Sequence, residues 1–493
     1  MKRPLLFVGP PGSGKSEIAA LVASRTARPL VCADGPTLEG VLAGPGTPAP
    51  VIDVASDAWL DRATRVLALD RSVVVSVIGN VGHDGTRTEI RGGSVEQALW
   101  ANLTAPFFEA HERVQVAPGD LTEAGEAALR VWERNAIAVA AGERSYVVEI
   151  GRNLFVERCP ALLTGVPAVL VVMDSNVQRL YGERVLAAVS VTGSRIVPTA
   201  FAAGEAQKHL GTLQNILEQA QRGGIDRSCS VLAFGGGVVT DVGGFAAATW
   251  MRGLRWVAAP TTLLGMVDAS VGGKTAIDLG DAKNAVGAFW QPSGVICDVQ
   301  WLLTETDKNY SSALAEVVKT AIIGDPELFQ VLEQDYEAIM LRDLDLMADV
   351  VRRCVRVKAR VVGLDEREQG LRAVLNLGHT LGHALETVVG LGMRTHGEAI
   401  SLGLVAAMRL GVRLGWTSTE LSERVVRLLQ VLGLPVELKA GELEAATQIV
   451  SFDKKRKGSK IKFVFARAIG SVVVEPISLE HLRELMPLLA DIA

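Results

Sequence analysis

Two histidines placed four residues apart are the first sign of chemistry in this chain of 493 residues. They lie in the segment Asn376-Leu-Gly-His379-Thr-Leu-Gly-His383-Ala-Leu-Glu386, and a helix would present both imidazoles on one face. His396 follows, so three of the seven histidines fall in one short region. Imidazole and carboxylate groups suit zinc or cobalt, and three protein ligands leave a coordination position for a substrate. The pattern favours a catalytic metal site over its alternative, a histidine pair that only lines or caps a helix.

A carboxylate distant in sequence is the expected third ligand, and Glu316 is the candidate. Its segment, Ala313-Leu-Ala-Glu316-Val-Val-Lys319, has the composition of an apolar helix with one acid and one base. A buried helix face tolerates such charges only when they are paired or bound to a metal. Together with Arg372 and Asn376, these residues predict a divalent metal held beside an anionic substrate.

The composition excludes several classes of protein. A net charge of −5 and a pI near 5.9 give no basic field for nucleic acid or an anionic membrane, so local clusters must hold any anionic ligand. The five cysteines are scattered without a C-x-x-C pair, which indicates a reducing cytoplasm. The opening apolar run is too short for a signal peptide, and no segment is long and apolar enough to span a bilayer. With 52.3 kDa and 48% hydrophobic residues, the chain predicts two or three domains.

The first predicted domain, residues 1–138, opens with a strand from Leu5 to Val8 and the loop Gly9-Pro-Pro-Gly-Ser-Gly-Lys-Ser16. This is the G-x-x-x-x-G-K-S pattern in its strand–loop–helix context, where loop amides cradle phosphates. A second strand, Ser72-Val-Val-Val-Ser-Val-Ile78, implies a parallel α/β sheet, and residues 117–135 have a helical pattern. The expected ligands are ATP and Mg²⁺, held by Gly12, Gly14, Lys15 and Ser16.

The second predicted domain, residues 142–305, alternates strands with helices, as an α/β cofactor domain does. The strand Ala168–Met173 ends at Asp174 and Asn176, and the strand from Ser230 runs into Gly235-Gly-Gly. Such a turn suits a dinucleotide pyrophosphate, although a tight turn without ligand explains it nearly as well.

The third predicted domain, residues 306–493, is mainly helical. Helices are expected at 311–323, 326–340, 343–363, 370–390, 397–415 and 418–432, with one hairpin formed by Ile461–Ala466 and Ser471–Glu475. Because the metal residues lie mostly in this domain, we expect the active site in the cleft beside the cofactor domain.

Residues 142–493 resemble 3-dehydroquinate synthase of the shikimate pathway. The motifs are collinear with that family: Gly204-Glu-Ala-Gln-Lys208, Gly235-Gly-Gly-Val-Val-Thr-Asp241, Pro260-Thr-Thr-Leu-Leu-Gly-Met-Val-Asp268-Ala-Ser-Val-Gly-Gly-Lys274, Lys283-Asn284, Glu316-Val-Val-Lys319 and the histidine segment. The resemblance implies an NAD- and metal-dependent lyase. It oxidises a hydroxyl of a seven-carbon keto-acid phosphate, eliminates phosphate, reduces the ketone again and closes a carbocycle.

The resemblance also implies roles for individual residues. The metal, Zn²⁺ or Co²⁺, would be held by Glu316, His379 and His396. Asp268 would orient the reacting hydroxyl. The phosphate and carboxylate of the substrate need cations and hydrogen-bond partners. The matching positions are Lys274, Lys319, Lys358, Arg372, one lysine of Asp453-Lys454-Lys455, Asn284, Asn376 and His383. NAD would be held by Asp174, Asn176, Glu205, Lys208, Gly237, Val238, Asp241, Thr261, Thr262 and Lys283.

Alternatives remain for this part of the chain. Related sugar-phosphate cyclases share the scaffold and metal triad, and Arg372 and Asn376 favour the dehydroquinate branch. An iron-dependent alcohol dehydrogenase is a rival with the same plan of domains. The chain departs from the family at Thr304–Ala313, which lacks an expected proline and glycine, and at Ala206-Gln207. We expect a homodimer formed through this half of the chain.

The N-terminal domain resembles shikimate kinase, a later enzyme of the same pathway. Beyond the loop the likeness fades: Cys32-Ala-Asp34-Gly35 has one aspartate where the family has two, and Val77-Ile-Gly79-Asn80 replaces a triple glycine. Thr104 stands where the family has an arginine. The domain is therefore either a phosphotransferase acting on shikimate or a nucleotide-binding module without catalysis.

Overall fold

The computed structural model describes residues 136–490 with gaps at 142–143, 281, 369, 391–392 and 455–459, and five strands before residue 136. Those five strands form a parallel sheet in the order β2-β3-β1-β4-β5, so the parallel arrangement predicted from Ser72–Ile78 is confirmed. The strands are β1 Leu5–Val8, β2 Leu30–Ala33, β3 Val51–Val54, β4 Val73–Ile78 and β5 Arg113–Gln115. The predicted phosphate loop, with Gly12, Gly14, Lys15 and Ser16, and the helix over 117–135 lie outside the described residues.

A seven-stranded sheet follows, in the order β6-β7-β14-β11-β10-β8-β9. Its strands are β6 Ala136–Val139, β7 Tyr146–Gly151, β8 Ala168–Asp174, β9 Arg195–Phe201, β10 Ser230–Gly235, β11 Arg255–Pro260 and β14 Gly294–Asp298. β10 is buried along its whole length and β8 along all but its last residue, which continuous apolar sequences such as Ala-Val-Leu-Val-Val-Met allow. The connecting helices are α1 Phe155–Leu163, α2 Ser175–Ser190, α3 Leu210–Arg222 and α4 Gly237–Thr249. The Rossmann-like α/β prediction is confirmed here.

An antiparallel hairpin, β12 Lys274–Leu279 and β13 Ala282–Phe289, leaves the line of the large sheet and forms a two-stranded sheet of its own. Gly287 permits the close pairing, because a Cβ there would lie 2.2 Å from the carbonyl oxygen of Thr275. The hairpin is mostly exposed along β13. Most side chains of β13 therefore lie on the surface of the protein.

The C-terminal part is mainly helical, as predicted. Its helices are α5 Asp307–Gly324, α6 Pro326–Gln334, α7 Tyr336–Met340, α8 Leu344–Leu364, α9 His379–Val389, α10 His396–Arg413, α11 Thr419–Val431, α12 Ala440–Lys454 and α13 Leu479–Leu485. The hairpin is β15 Lys460–Ala468 with β16 Ser471–Ser478, as predicted.

Four details of the helix prediction were wrong. The single helix expected over 326–340 is divided at Asp335 into α6 and α7, and α13 was not predicted. The single helix expected over 370–390 is a 3₁₀ helix, Leu371–Asn376, followed by α9, because Gly378 adopts a left-handed φ of +76° between them. α12 was not predicted at all.

The contacts divide the chain into two units. The first contains the chain to Ala259 with Val271–Cys297 and Ala359–Glu366; the second contains Pro260–Ser270, Asp298–Lys358 and Arg367–Ala493. Within the described residues, no helix combines the length and apolar character that crossing a bilayer requires.

Candidate functional site

Glu316 lies at the centre of α5, a helix buried on almost every side from Ser312 to Ile323. Thr306 starts the helix by accepting a hydrogen bond from the Asn309 amide. The Glu316 side chain is only 1% exposed, and its Oε2 forms an ion pair with Nζ of Lys319, one turn further on. The expected pairing of the two charges is thus present, which a buried carboxylate requires.

His379 is the first residue of α9, directly after the left-handed Gly378. Its Nε2 lies 3.4 Å from Oε1 of Glu316. Its Nδ1 lies 3.2 Å from the Leu377 carbonyl oxygen, and since a carbonyl can only accept, Nδ1 carries the hydrogen. Nε2 is left with its lone pair facing Glu316, the tautomer that binds a metal through Nε2.

His396 occupies the corresponding first position of α10. Thr395 and Glu398 form a capping box that fixes the start of this helix. The His396 Nε2 also lies 3.4 Å from Oε1 of Glu316, while its Nδ1 lies 3.8 Å from Oε2 of Glu386. One carboxylate oxygen is therefore equidistant from two imidazole nitrogens.

His383, one turn after His379 on α9, completes this group. The donor atoms of His379, His383 and His396 lie within 4.8 Å of one another. Both carboxylate oxygens of Glu316 are buried and make no well-oriented hydrogen bond in the described part of the chain, although Oε2 faces the Lys319 ammonium. Convergent imidazoles around such an oxygen fit a divalent cation of the zinc or cobalt type.

The electrostatics of the group agree with cation binding. Burial opposes ionisation of Glu316, but the ammonium group of Lys319 holds its pKa well below the usual value. Burial and the charge of Lys319 lower the pKa of His379 to about 3, so this ring is neutral, as a ligand must be. Burial acts against protonation of His396 too, yet Glu316 and Glu386 raise its pKa to about 9. A divalent ion would displace that proton on binding.

Glycines let the three helices approach closely enough to bring these ligands together. A Cβ on Gly397 would lie 1.7 Å from the carbonyl oxygen of Ser312, whose hydroxyl accepts a hydrogen bond from the Gly397 amide. A Cβ on Gly403 would lie 2.0 Å from the carbonyl oxygen of Gly378. α10 therefore touches α5 and α9 through its backbone, next to the ligands.

Asp268 and Lys358 form a second ionic group in the same unit. Asp268 lies in a π-helical turn, Gly265–Ala269, and Lys358 lies on α8. Nζ of Lys358 is 2.5 Å from Oδ1 of Asp268 and 2.6 Å from its carbonyl oxygen. Burial would raise the pKa of Asp268, but Lys358 and Lys319 lower it to about 2. Asp268 is thus held ionised.

The remaining residues of this unit that were predicted to bind substrate or NAD lie along the 3₁₀ helix before α9 and around the π-helical turn. Arg372 is 2% exposed. Burial is the main cause that lowers the pKa of Lys358, and the nearby charge of Arg372 lowers it further. Asn376 is exposed and donates from Nδ2 to Glu368 at 3.4 Å. Thr261 is buried, and the Thr262 hydroxyl accepts a hydrogen bond from the Gly265 amide. α12 ends at Lys454, and Lys455 lies outside the described residues.

The first unit gathers predicted cofactor residues after its parallel strands. Asp174 ends β8, and its carboxylate accepts the amides of Asn176 and Val177 as the N-cap of α2. β10 runs into Gly236, which caps α4 without a side-chain hydrogen bond, so the first amides of that helix are available to a ligand. Gly237 and Val238 are its first two residues. A strand, a glycine turn and a helix N-terminus fit a dinucleotide pyrophosphate.

Lys208 connects this region with the hairpin. Its side chain is 5% exposed, and Nζ lies 2.6 Å from Oδ2 of Asp241 and 2.5 Å from Oδ1 of Asn284. Burial acts to lower the pKa of Lys208, but Asp241 and its other acidic neighbours raise it. Glu205, Lys274, Lys283 and Asn284 are exposed.

Two functional candidates were missed by sequence reasoning. Glu386 lies within the histidine motif, and its spacing of three residues from His383 places both on one face of α9. Glu305 accepts a hydrogen bond from the Leu263 amide, and burial raises its pKa to about 7. The first could have been recognised from the helical spacing; the second depends on a contact between distant segments.

Family models and relatives match the part of the chain that contains these residues. Models for the N-terminal and C-terminal parts of 3-dehydroquinate synthase match residues 198–312 and 313–456. A 3-dehydroquinate synthase of Halorhodospira halophila is 41% identical over 336 residues, 68% of this chain and 94% of the relative. The chain belongs to the 3-dehydroquinate synthase family. The enzyme of that name from Pelobacter propionicus is 42% identical over 314 residues, 64% of this chain and 88% of the relative.

Solved structures similar to this family member include two synthases of other names. The 2-epi-5-epi-valiolone synthase of Streptomyces hygroscopicus, solved with NAD⁺ and Zn²⁺ bound, has a TM-score of 0.64 and 28% identity. The similarity covers 71% of this chain and 98% of that one. A 2-deoxy-scyllo-inosose synthase, complexed with carbaglucose-6-phosphate, NAD⁺ and Co²⁺, has a TM-score of 0.65 over 71% of this chain and 99% of its own. At 21% identity, the second likeness shows a shared fold.

Proposed function

We propose that this protein is a 3-dehydroquinate synthase, which converts 3-deoxy-D-arabino-heptulosonate 7-phosphate to 3-dehydroquinate and phosphate. The single observation that carries the proposal is the convergence of Glu316, His379 and His396, with Oε1 of the glutamate 3.4 Å from both Nε2 atoms. The relatives that share the name support the choice of reaction.

The residues present fit the two groups that this reaction uses. A divalent Zn²⁺ or Co²⁺ held by Glu316, His379 and His396 would supply a Lewis acid for hydroxyl and carbonyl oxygens of the substrate. NAD held after the strands of the first unit would supply reversible oxidation of one secondary hydroxyl. The structures that hold NAD⁺ with Zn²⁺ or Co²⁺ in related cyclases support both assignments.

The side chains of the second unit match the charge of the substrate. Lys319, Lys358 and Arg372 are buried cations, 2%, 8% and 2% exposed. A dianionic phosphate and a carboxylate would find charge-assisted hydrogen bonds there. Asp268, kept ionised by Lys358, can accept a hydrogen bond or a proton from a substrate hydroxyl.

Substrate choice among related cyclases is the finer part of the proposal. Arg372 and Asn376 lie on one 3₁₀ helix four residues apart, and the family resemblance gives them the carboxylate end of the substrate. In a cyclase whose sugar phosphate has no carboxylate, a buried guanidinium at that position would lack the substrate carboxylate as its partner. We therefore favour the keto-acid phosphate over sugar phosphates that lack a carboxylate.

The test is phosphate release from the keto-acid phosphate by the full chain with NAD. We expect release without net accumulation of NADH, its loss after treatment with a chelator, and recovery with Zn²⁺ or Co²⁺. His396→Ala should abolish release, while His481→Ala, at an exposed position of α13, should retain it. Net reduction of NAD with an alcohol, or full release by a chelated preparation, would refute the proposal.

Activity of the N-terminal domain remains a separate prediction. The pattern from Gly9 to Ser16 begins directly after β1 and favours nucleotide binding, but its residues lie outside those described. Formation of shikimate phosphate from ATP by the full chain, lost in Lys15→Ala, would make the protein bifunctional. ATP binding without turnover would leave a nucleotide-binding module. The homodimer and the cytoplasmic location also stay predictions. The molecular mass of the protein in solution tests the homodimer.

A further inference from the structure

The hairpin β12–β13 contains a bulge at its exposed end. Ile277 pairs with Val286 and Leu279 pairs with Ala282, so the single residue Asp278 lies opposite three residues of β13, Lys283 to Ala285. Bulges of this kind redirect side chains and are common beside functional sites. Here the bulged residues include Lys283 and Asn284, which the family resemblance gives to ligand binding.

Asp278 holds the bulge in place. Its Oδ1 accepts a hydrogen bond of 2.6 Å from the amide of Asn284. Asn284 has a φ of +52°, in the left-handed region that a residue with a Cβ enters at a cost. The backbone amide of Asp278 also donates to the carbonyl oxygen of Lys208, at 2.7 Å. Asp278 therefore stabilises an uncommon backbone conformation and connects it to Lys208.

Lys208 fixes the orientation of the Asn284 side chain. An ammonium group has only donors, so the amide atom 2.5 Å from it must be the oxygen. The hydrogens of Nδ2 are then the part of the amide that an incoming ligand can use, and Asn284 is exposed. An acceptor on the ligand is required, because an N–H donor does not bind another donor. The exposed cations Lys274 and Lys283 on the same hairpin favour an anionic acceptor.

We propose that Asp278 is a positioning residue that holds Asn284 as an obligatory hydrogen-bond donor for an anionic oxygen, phosphate or carboxylate, of the substrate. The inference rests on the proposed function and adds to it a residue that does not itself touch the substrate. It also gives the buried Lys208 a second role besides binding NAD, because its ammonium group orients the side-chain amide of Asn284.

The experiment compares Asp278→Ala with Asp278→Asn in the full chain. The alanine removes the acceptor, and the asparagine keeps an oxygen that can accept the Asn284 amide. We expect Asp278→Ala to raise KM for the keto-acid phosphate about tenfold, the effect of losing one positioned charge-assisted hydrogen bond. Asp278→Asn should restore KM to within about threefold, since a neutral acceptor replaces a charged one. The dissociation constant of NAD should change little, because the hydrogen bond to Lys208 comes from the backbone of Asp278 and Lys208 keeps its closer ion pair with Asp241.

A second variant tests the donor directly. Asn284→Asp keeps an oxygen for Lys208 but offers no N–H to the ligand, so KM should rise by more than in Asp278→Ala without loss of thermal stability. Product inhibition by inorganic phosphate and by 3-dehydroquinate is measured for each variant. Weaker inhibition by phosphate alone would place the phosphate on Asn284, and weaker inhibition by 3-dehydroquinate alone would place the carboxylate there.

The results separate this inference from the function on which it rests. No phosphate release by the unaltered chain would overturn both. Normal release by the unaltered chain with unchanged KM in Asp278→Ala and Asn284→Asp would overturn the inference alone. A parallel loss of NAD affinity and melting temperature in Asp278→Ala, not reversed by Asp278→Asn, would show a structural role instead and would also overturn it.

Discussion

Gly397→Ala is the smallest change that should dismantle the candidate metal site without touching a ligand. Gly397 is the second residue of α10, directly after His396. A Cβ added there would lie 1.7 Å from the Ser312 carbonyl oxygen and 2.4 Å from its carbonyl carbon, on the helix that carries Glu316. Both obstacles are backbone, so no side-chain rotation relieves them.

The size of the effect follows from these distances. To reach 3.0 Å, the closest approach that real Cβ atoms show, the start of α10 must move by about 1.3 Å from α5. Metal ligands tolerate errors of about 0.2 Å, and a misplacement of about 1 Å costs roughly 100-fold in rate. We expect metal affinity and phosphate release each to fall at least about 100-fold. Overpacking should reduce the free energy of unfolding by only about 1–3 kcal/mol.

Gly441→Ala provides a matched control. Gly441 is likewise the second residue of its helix, α12, but a Cβ there meets no atom within 4 Å. Metal affinity from competition with a chromogenic chelator, the unfolding free energy from urea titration, and phosphate release are measured for both variants. If Gly397→Ala binds metal and releases phosphate like Gly441→Ala, the close contact of α10 with α5 does not set the site, and the reasoning fails.

Three further predictions concern charges in the second unit. Glu316→Gln should lower the bound metal, measured by atomic emission, from about one ion per chain to a small fraction, since a coordinating carboxylate is lost; a full complement of metal in this variant would contradict the assigned ligand. Lys358→Met should lower the free energy of unfolding, measured by urea titration, by about 2 kcal/mol, which is less than for a fully buried pair because the Asp268 side chain is 35% exposed. Asp268→Asn combined with Lys358→Met should recover stability but not phosphate release; if the two losses of stability simply add, the two residues do not interact. Because burial raises the pKa of Glu305 to about 7, above its value in the unfolded chain, the wild type should lose about 2 kcal/mol of unfolding free energy as pH rises from about 5 to 8. Glu305→Gln should remove that loss; the same dependence of unfolding free energy on pH in both proteins would refute the assignment.

The chemistry of the site was more predictable from sequence than its backbone. The spacing of His379, His383 and Glu386 depends only on helical periodicity, which is local. Glu316 was also recognisable, because a charge inside an apolar helix needs a partner. What periodicity could not show is the break at Gly378, where the apolar pattern continues although the helix stops. That break makes His379 the first residue of a helix.

α12 was missed for a related reason. Its buried residues Leu443, Ala446 and Val450 keep helical spacing, but alanine contributes little apolar contrast and Gly441 opens the segment. Packing against α9 stabilises this helix where local sequence gives a weak signal. Long-range partners such as Leu263 with Glu305, or Asp278 with Lys208, depend on the folded chain and have no sequence signature.

The positions of the two ligand histidines explain why Glu386 matters for the site. His379 and His396 are both first residues of helices, where the helix dipole disfavours a charged imidazole and so favours the neutral form that binds metal. The two rings lie equally far from Glu316, yet the pKa of His379 falls to about 3 while that of His396 rises to about 9. Two charged neighbours explain the difference. Oε2 of Glu386 lies 3.8 Å from Nδ1 of His396, and the charge of Lys319 depresses the pKa of His379. One histidine is therefore prepared as a neutral ligand, and the other faces a carboxylate that would orient its ring and raise the basicity of Nε2 once a cation has displaced the proton there.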